Sequence, residues 1–233
     1  MAYCDSCLVR NTAICAALDA KEIEALNQIG RRRWLKPGES LAWEGDDSIL
    51  VANVIEGVLQ LTSGTEDGRT QVVGVVYPSD FVGRPYGDTN NQSITAVTAS
   101  HVCVFDRANF DRFAAQHPAL EHKLLRRTLA ELDRTREWML LLSRKTAQAR
   151  VASFLLEMAE RIGTTGCAQA ASDDAVLTFA LPFTRQQIGD IVGLTIETVS
   201  RQMSTLRREG VIALPSRKEI RILDRDRLQV LAS

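Results

Sequence analysis

The sequence predicts an α+β protein: an N-terminal antiparallel β-roll of jelly-roll type, a long dimerisation helix and a C-terminal winged helix-turn-helix. Three observations predict it. Turn signals recur at short intervals from Trp34 to about Phe105, a stretch without Gly or Pro follows Pro118, and Phe183 to Gly210 reads as helix, tight turn, helix. The boundaries implied are a cysteine-rich leader over 1–17, a β-roll over 18–116, a helix over 117–145 and a winged module over 146–233.

The roll rests on Lys36-Pro-Gly-Glu, Glu44-Gly-Asp-Asp, Glu56-Gly, Ser63-Gly, Glu66-Asp-Gly, Pro78-Ser-Asp and Gly87-Asp, a spacing that suits short strands and tight turns. Between them, Leu50 to Ile55, Val58 to Leu61, Gln71 to Val76 and Ile94 to Ala99 carry the β-branched residues of a half-buried pleated surface. After Pro118 the period changes. Leu125, Leu129, Leu132, Arg136 and Met139 recur at steps of four and three, the seam of a coiled coil between two copies of the chain. A charge such as Arg136 weakens such a seam unless it reaches a partner or solvent. The competing reading is a stripe that covers the roll of its own subunit. A second helix is expected over Ala149 to Ile162, then a polar linker from Gly163 to Asp174.

In the C-terminal module Thr184 caps the first helix, with Gln187 three residues on as the reciprocal partner. Ile188, Ile191 and Val192 form its inward face, Gly193 makes the turn, and Thr195 caps the second helix, whose buried stripe is Val199, Met203 and Leu206. A helix seated in the major groove of double-stranded DNA offers its N-terminal outward residues to base edges, here Glu197, Ser200 and Arg201 with Gln202 exposed beside them. Arg donates two bonds to guanine, Glu accepts from cytosine, and Ser serves either. Thr195, Thr198 and Arg185 flank this face, and the turn between the strands after Val211 brings Arg217 and Lys218 towards phosphates.

The formal net charge is −1, against a polyelectrolyte wrapped by nucleic acid but compatible with a local reading module. Neither a secretory leader nor an apolar run long enough to span a bilayer appears, so a cytoplasmic, membrane-free location is expected. There the five cysteines point to metal or redox chemistry and not to disulfides. Cys4 and Cys7 present two thiolates from one loop, Cys15 follows after seven residues, and Cys103 lies in the roll. Four thiolates complete a tetrahedral zinc site or an iron-sulfur cluster, and spacing alone leaves both open. Cys167 is left over, and His101, His117 and His122 are expected to be polar bystanders. A metal-dependent enzyme would need clustered histidines and carboxylates that the roll lacks, and an electron carrier would leave the DNA motif unexplained.

The leader cysteines, the roll, the helix ending Met139-Leu-Leu-Leu-Ser-Arg-Lys-Thr-Ala-Gln-Ala-Arg-Val-Ala and the run Thr195-Ile-Glu-Thr-Val-Ser-Arg together resemble the FNR branch of the CRP/FNR regulators. The likeness spans nearly the whole chain. It implies a cyclic-nucleotide-binding-like roll and an oxygen-labile [4Fe-4S] cluster on Cys4, Cys7, Cys15 and Cys103. It also implies a homodimer reading an inverted repeat with TTGAT-like half-sites, as activator or repressor rather than enzyme. Many members have five residues between the second and third cysteines, where this chain has seven. RNA polymerase is the implied partner of Gly68, Arg69 and Thr70 and of the loop Arg84 to Asp88. A cluster joining leader to roll is expected to reposition the long helix and promote dimerisation, with Arg136 keeping the contact weak enough to reverse. The alternative is a member of the same family with a structural zinc, or with a small-molecule or cyclic-nucleotide effector. Against the nucleotide, Phe81-Val-Gly-Arg-Pro-Tyr and Gln92-Ser-Ile-Thr lack the cationic clamp of such pockets, and Arg84 is the one substitute.

Overall fold

The computed structural model describes residues 4, 6–64, 68, 70–163, 177–216 and 218–233. These form two compact units, 1–134 and 135–233. Arg69, Cys167, most of the polar linker and Arg217 lie outside the described residues.

In the first unit a short 3-10 turn, Ile14–Ala17, leads to α1 (Ala20–Ile29), which starts at a reciprocal cap: Asp19 accepts from the Glu22 amide at 2.9 Å and Glu22 accepts from the Asp19 amide at 2.8 Å. Eight strands follow: β1 (Gly30–Leu35), β2 (Ser40–Ala42), β3 (Leu50–Glu56), β4 (Leu59–Gly64), β5 (Thr70–Val76), β6 (Phe81–Gly83), β7 (Ser93–Ala96) and β8 (Ser100–Asp106). They pair antiparallel in two four-stranded sheets, ordered β1-β8-β3-β6 and β2-β7-β4-β5. Leu35, Ala52, Val54, Leu59, Val76, Ile94, Val102 and Val104 fill the space enclosed. This is the expected α+β class, with its antiparallel roll.

The expected strand over Ile94 to Ala99 stops at Ala96, because the amides of Val97 and Thr98 both turn to the Val58 carbonyl, at 2.8 and 3.3 Å. Two helices then close the unit against the sheet that carries β8. In α2 (Arg107–Ala115) and the first turns of α3 (Pro118–Arg144), Phe110, Ala114, Leu120 and Leu124 pack with Ile23 and Leu26 of α1 and Val51 and Phe105 of the roll. Neither α1 nor α2 was anticipated from the sequence.

The second unit holds α4 (Ala147–Gly163), two residues longer at its start than expected, with Val151, Leu155 and Met158 fully buried. Then come β9 (Leu177–Ala180), α5 (Arg185–Val192), α6 (Ile196–Arg208), β10 (Ile212–Ser216), β11 (Glu219–Ile222) and α7 (Arg225–Ala232). The expected wing of two strands has a third, β9, giving the order β10-β11-β9. Among the described residues no helix is long and apolar enough to cross a membrane.

Candidate metal centre and nucleic-acid interface

The leader curls back on itself through short bonds, Cys7 amide to Cys4 carbonyl at 3.4 Å, Arg10 amide to Cys7 carbonyl at 3.2 Å and Ala13 amide to Val9 carbonyl at 2.8 Å. Its apolar residues hold it down: Val9, Ala13 and Ile14 are buried, the first two against Ile55 of β3 and the last in the core beside α1. The result brings Cys4, Cys7 and Cys15 to Cys103, which stands on the central strand β8 opposite Asn53 of β3 and Arg32 of β1. All four cysteines are outside any disulfide and partly buried. Burial, then the neighbouring thiols of Cys4 and Cys7, push Cys15 up to about 11. Burial, then Cys15, Cys4 and Cys7, push Cys103 up to about 12, with Arg32 pulling the other way. The packing agrees: Cys4, Cys15 and Cys103 lie against one buried cluster and Cys7 and Cys103 against the next.

Two amides that the sequence reading missed touch the thiols. The Cys4 thiol donates to Asn27 Oδ1 of α1 at 3.4 Å, and Asn53 Nδ2 donates to Cys15 Sγ at 3.7 Å. Asn53 is buried and its Oδ1 has no partner among the described residues. A lone amide in the apolar run Leu50 to Ile55 was the signal that could have found it. Among the described residues, no three His, Cys, Asp or Glu groups form a ready site for a single metal ion. Four cysteines from two separate elements, Cys7 and Cys103 against Val9, Ala13 and Ile55 and Cys4, Cys15 and Cys103 against the core beside α1, are nonetheless a donor set of the type that four-thiolate ligation takes. His101 does not join them: it stacks on Trp34 with ring centroids 4.1 Å apart.

Along α3, Leu125 is 55%, Leu129 52%, Leu132 43% and Met139 66% exposed, and Arg136 is exposed with them. A stripe of that size facing solvent does not cover the chain's own roll, the competing reading of the seam.

In the second unit α5 begins at the expected box: Thr184 accepts from the Gln187 amide at 3.2 Å and Gln187 accepts from the Thr184 amide at 2.8 Å. Ile188, Ile191 and Val192 are buried, and Gly193 takes the left-handed conformation, φ 65°, that ends the helix. Gly189 was not singled out beforehand. A Cβ there would stand 2.5 Å from the Leu194 carbonyl oxygen, so only glycine admits the turn this close. Thr195 caps α6 by accepting from the Thr198 amide at 3.3 Å, and Val199, Met203 and Leu206 are buried as expected.

Glu197, Ser200 and Arg201 are exposed on one outward face of α6, with Thr195 exposed beside them; Thr198 is half-buried. Gln202 is half-buried too, where exposure was expected, because its position turns towards the packed side next to Met203. Bonds from its own amide and the Thr195 hydroxyl hold the Glu197 carboxyl below the usual range, so it stands ready as an ionised acceptor. Arg185 is half-buried at the start of α5, and that burial lowers its pKa. Lys218 is exposed in the turn between β10 and β11, where its amide donates to Ser216 Oγ at 3.3 Å.

The one candidate substitute for a nucleotide clamp is Arg84. Arg84 is exposed, and its side chain lies over Gly87, where an added Cβ would sit 2.5 Å from Arg84 Cγ and Cδ, while Leu59, Val76 and Ile94 fill the roll interior.

Residues 32–117 match the cyclic nucleotide-binding domain and residues 149–231 the Crp-like helix-turn-helix domain. The transcriptional activator protein FnrL of Cereibacter sphaeroides is 43% identical over 225 residues, 97% of this chain and 90% of its own. The nitrogen fixation regulation protein FixK of Bradyrhizobium diazoefficiens is 39% identical over 231 residues, 99% of this chain and 94% of its own. Among solved structures, FixK2 from Bradyrhizobium japonicum superimposes with a TM-score of 0.78 at 31% identity, covering 88% of this chain and 98% of that one.

Proposed function

The chain belongs to the CRP/FNR family of transcription regulators, in the branch of FnrL and FixK, and on that premise we propose that it is an oxygen-responsive regulator binding DNA as a homodimer. The observation that carries the sensing part is the meeting of Cys4, Cys7 and Cys15 of the leader with Cys103 of β8. These four residues would hold a [4Fe-4S] cluster, which when bound supplies an oxygen-labile iron centre.

The chain's own residues do the rest. Cys15 and Cys103 are neutral thiols at pH 7, so they become ligands only by shedding protons that burial otherwise keeps in place. Ligation joins leader and β8, which belong to different segments of the chain. The exposed stripe Leu125, Leu129, Leu132 and Met139 of α3 covers the same stripe of a second copy. Two α6 helices about 34 Å apart then read an inverted repeat, TTGAT-like by family, through Glu197, Ser200 and Arg201. Thr195, Thr198, Arg185 and Lys218 position the module on the backbone. Thr70 and the loop Arg84 to Asp88 are the surfaces proposed to meet RNA polymerase.

The test is a visible spectrum of the anaerobically purified protein with iron and sulfide analysis, repeated after brief air exposure with sedimentation and binding to an inverted-repeat duplex. Iron and sulfide in equal amounts, lost in air as dimers and DNA binding fall, support the reading. A colourless, zinc-loaded dimer indifferent to air overturns the sensing part and leaves the DNA-binding regulator standing.

A further inference from the structure

The helix that carries the exposed stripe has a second face. Leu120 is buried, Leu124 packs on the core with it, and Arg127 follows three residues further along the same side. Leu125 and Leu129 lie two residues to either side of Arg127 and therefore on the opposite face. The rotation of α3 about its axis, which sets where the stripe points, is thus fixed by what Leu120, Leu124 and Arg127 touch.

Arg127 touches both parts of the chain that carry the cysteines. Its Nη2 donates to the Thr12 carbonyl at 2.7 Å, and Thr12 lies in the span between Cys7 and Cys15. Its Nη1 donates to Asp80 Oδ1 at 3.3 Å. Asp80 is buried in the turn before β6, where it also accepts from the Tyr77 amide at 3.1 Å. That turn is stitched to β3, with the Val54 amide on the Asp80 carbonyl and the Ser79 amide on the Val54 carbonyl, both at 2.9 Å. Val54 is the neighbour of Asn53, which stands opposite Cys103. Finally, Thr12 Oγ1 and Ser79 Oγ are 2.6 Å apart, and Ser79 holds φ 78°, a backbone state costly outside glycine. The leader span, the turn and α3 meet at the Arg127 guanidinium, the group that bonds both Thr12 and Asp80, while Arg134 further along α3 adds its charge near Asp80. The planar fork of Arg127 is suited to hold two acceptors at once.

We infer that Arg127 is the positioning residue through which the cysteine site sets the seating of α3. The inference rests on the proposed sensing role for its biological meaning, but the contact itself does not. When the span between Cys7 and Cys15 shifts, the Thr12 carbonyl leaves one arm of the fork. When β3 and β8 shift, Asp80 leaves the other.

The test is hydrogen–deuterium exchange on the full chain, wild type and Arg127→Gln, with the leader disturbed in two ways. Iron is removed by a chelator from anaerobically loaded protein, and separately the thiols of metal-free protein are alkylated with N-ethylmaleimide. In wild type both treatments raise exchange in residues 8–14 and in α3 over 120–134. In Arg127→Gln the iron content and the response of residues 8–14 stay as in wild type, while the α3 response falls about tenfold, within the usual range for coupling between two sites. An α3 response in Arg127→Gln equal to wild type overturns the inference. A wild type that takes up no iron overturns the sensing role alone, and the alkylation arm still decides the case of Arg127. Should Arg127→Gln lose protection in β3 and β8 as well, Arg127→Lys decides. It keeps the charge beside Asp80 but lacks the fork, and it is expected to weaken the α3 response while the roll stays protected.

Discussion

In the C-terminal module α5, α6 and α7 each start at a cap supplied within their own first turn: Thr184 with Gln187, Thr195 with Thr198, and Asp224 accepting from the Arg227 amide at 2.8 Å. The leader is held from elsewhere. Cys4 leans on Asn27, Cys15 on Asn53, and Thr12 on Ser79 and Arg127. Beside it, on β3, Asn53 Oδ1 is buried without a partner among the described residues. Helices whose starts are capped by their own first turn keep those starts whatever happens around them, whereas a segment whose side chains lean on remote groups and proton-bearing thiols takes its seating from what those thiols hold. The reading surface is built to be constant and the leader to be variable.

The largest expected effect separates the two regions in both directions. Cys103→Ser or Cys15→Ser is expected to abolish iron uptake and anaerobic binding to an inverted-repeat duplex, leaving the thermal unfolding of the C-terminal module unchanged. Arg201→Ala should keep wild-type iron while weakening the duplex by about 1–3 kcal/mol, which gel-shift titration reads. A Cys103→Ser protein that binds iron as wild type does would show that the gathered thiols are not the site.

Next in size is the helix that both regions depend on. Leu129→Asp is expected to lower dimerisation by about 2 kcal/mol or more, since in a two-fold contact the charge enters twice. Arg136→Leu is expected to act the other way. Arg136 is exposed on the stripe, and an apolar residue there extends the seam, so the dimer should persist in air. Aerobic sedimentation that finds Arg136→Leu monomeric would remove its role in keeping the contact reversible.

Within the reading module the sharpest local test is Gly189→Ala. The added Cβ meets the Leu194 carbonyl oxygen at 2.5 Å, a backbone atom that cannot swing aside, so α5 and α6 must part. A loss of about 1–3 kcal/mol in thermal unfolding is expected, the usual cost of overpacking. No change would mean that the turn is softer than its bonds suggest.

What the sequence revealed follows the same division. The cap at Thr184, the turn at Gly193 and the stripe Val199, Met203, Leu206 were legible because each signal spans three or four residues. The cysteines were legible as a set of chemical type, yet their meeting depends on strand β8 and on the leader's fold. Arg127 was not legible at all: its partners lie 47 and 115 residues away, and nothing near Arg127 marks it out from Arg126. The helices α1 and α2 escaped for another reason. Each buries only two residues of its own length, too few to impose a visible period over 10 and 9 residues. Strand β9 was hidden because its partner is the distant β11.

The smallest effect separates two ways of touching DNA inside the constant region. Lys218 stands exposed at the wing with its amide tied to Ser216, a placement suited to a phosphate and not to a base edge. Lys218→Ala is therefore expected to weaken specific and unrelated duplexes alike and to reduce the slope of log affinity against log salt by about 1. Arg201→Ala, by contrast, should change the ranking of half-site sequences and leave that slope nearly as it was. A Lys218→Ala protein that lost affinity only for its preferred site would move the wing from the backbone to the bases, and the reading surface would then extend beyond α6.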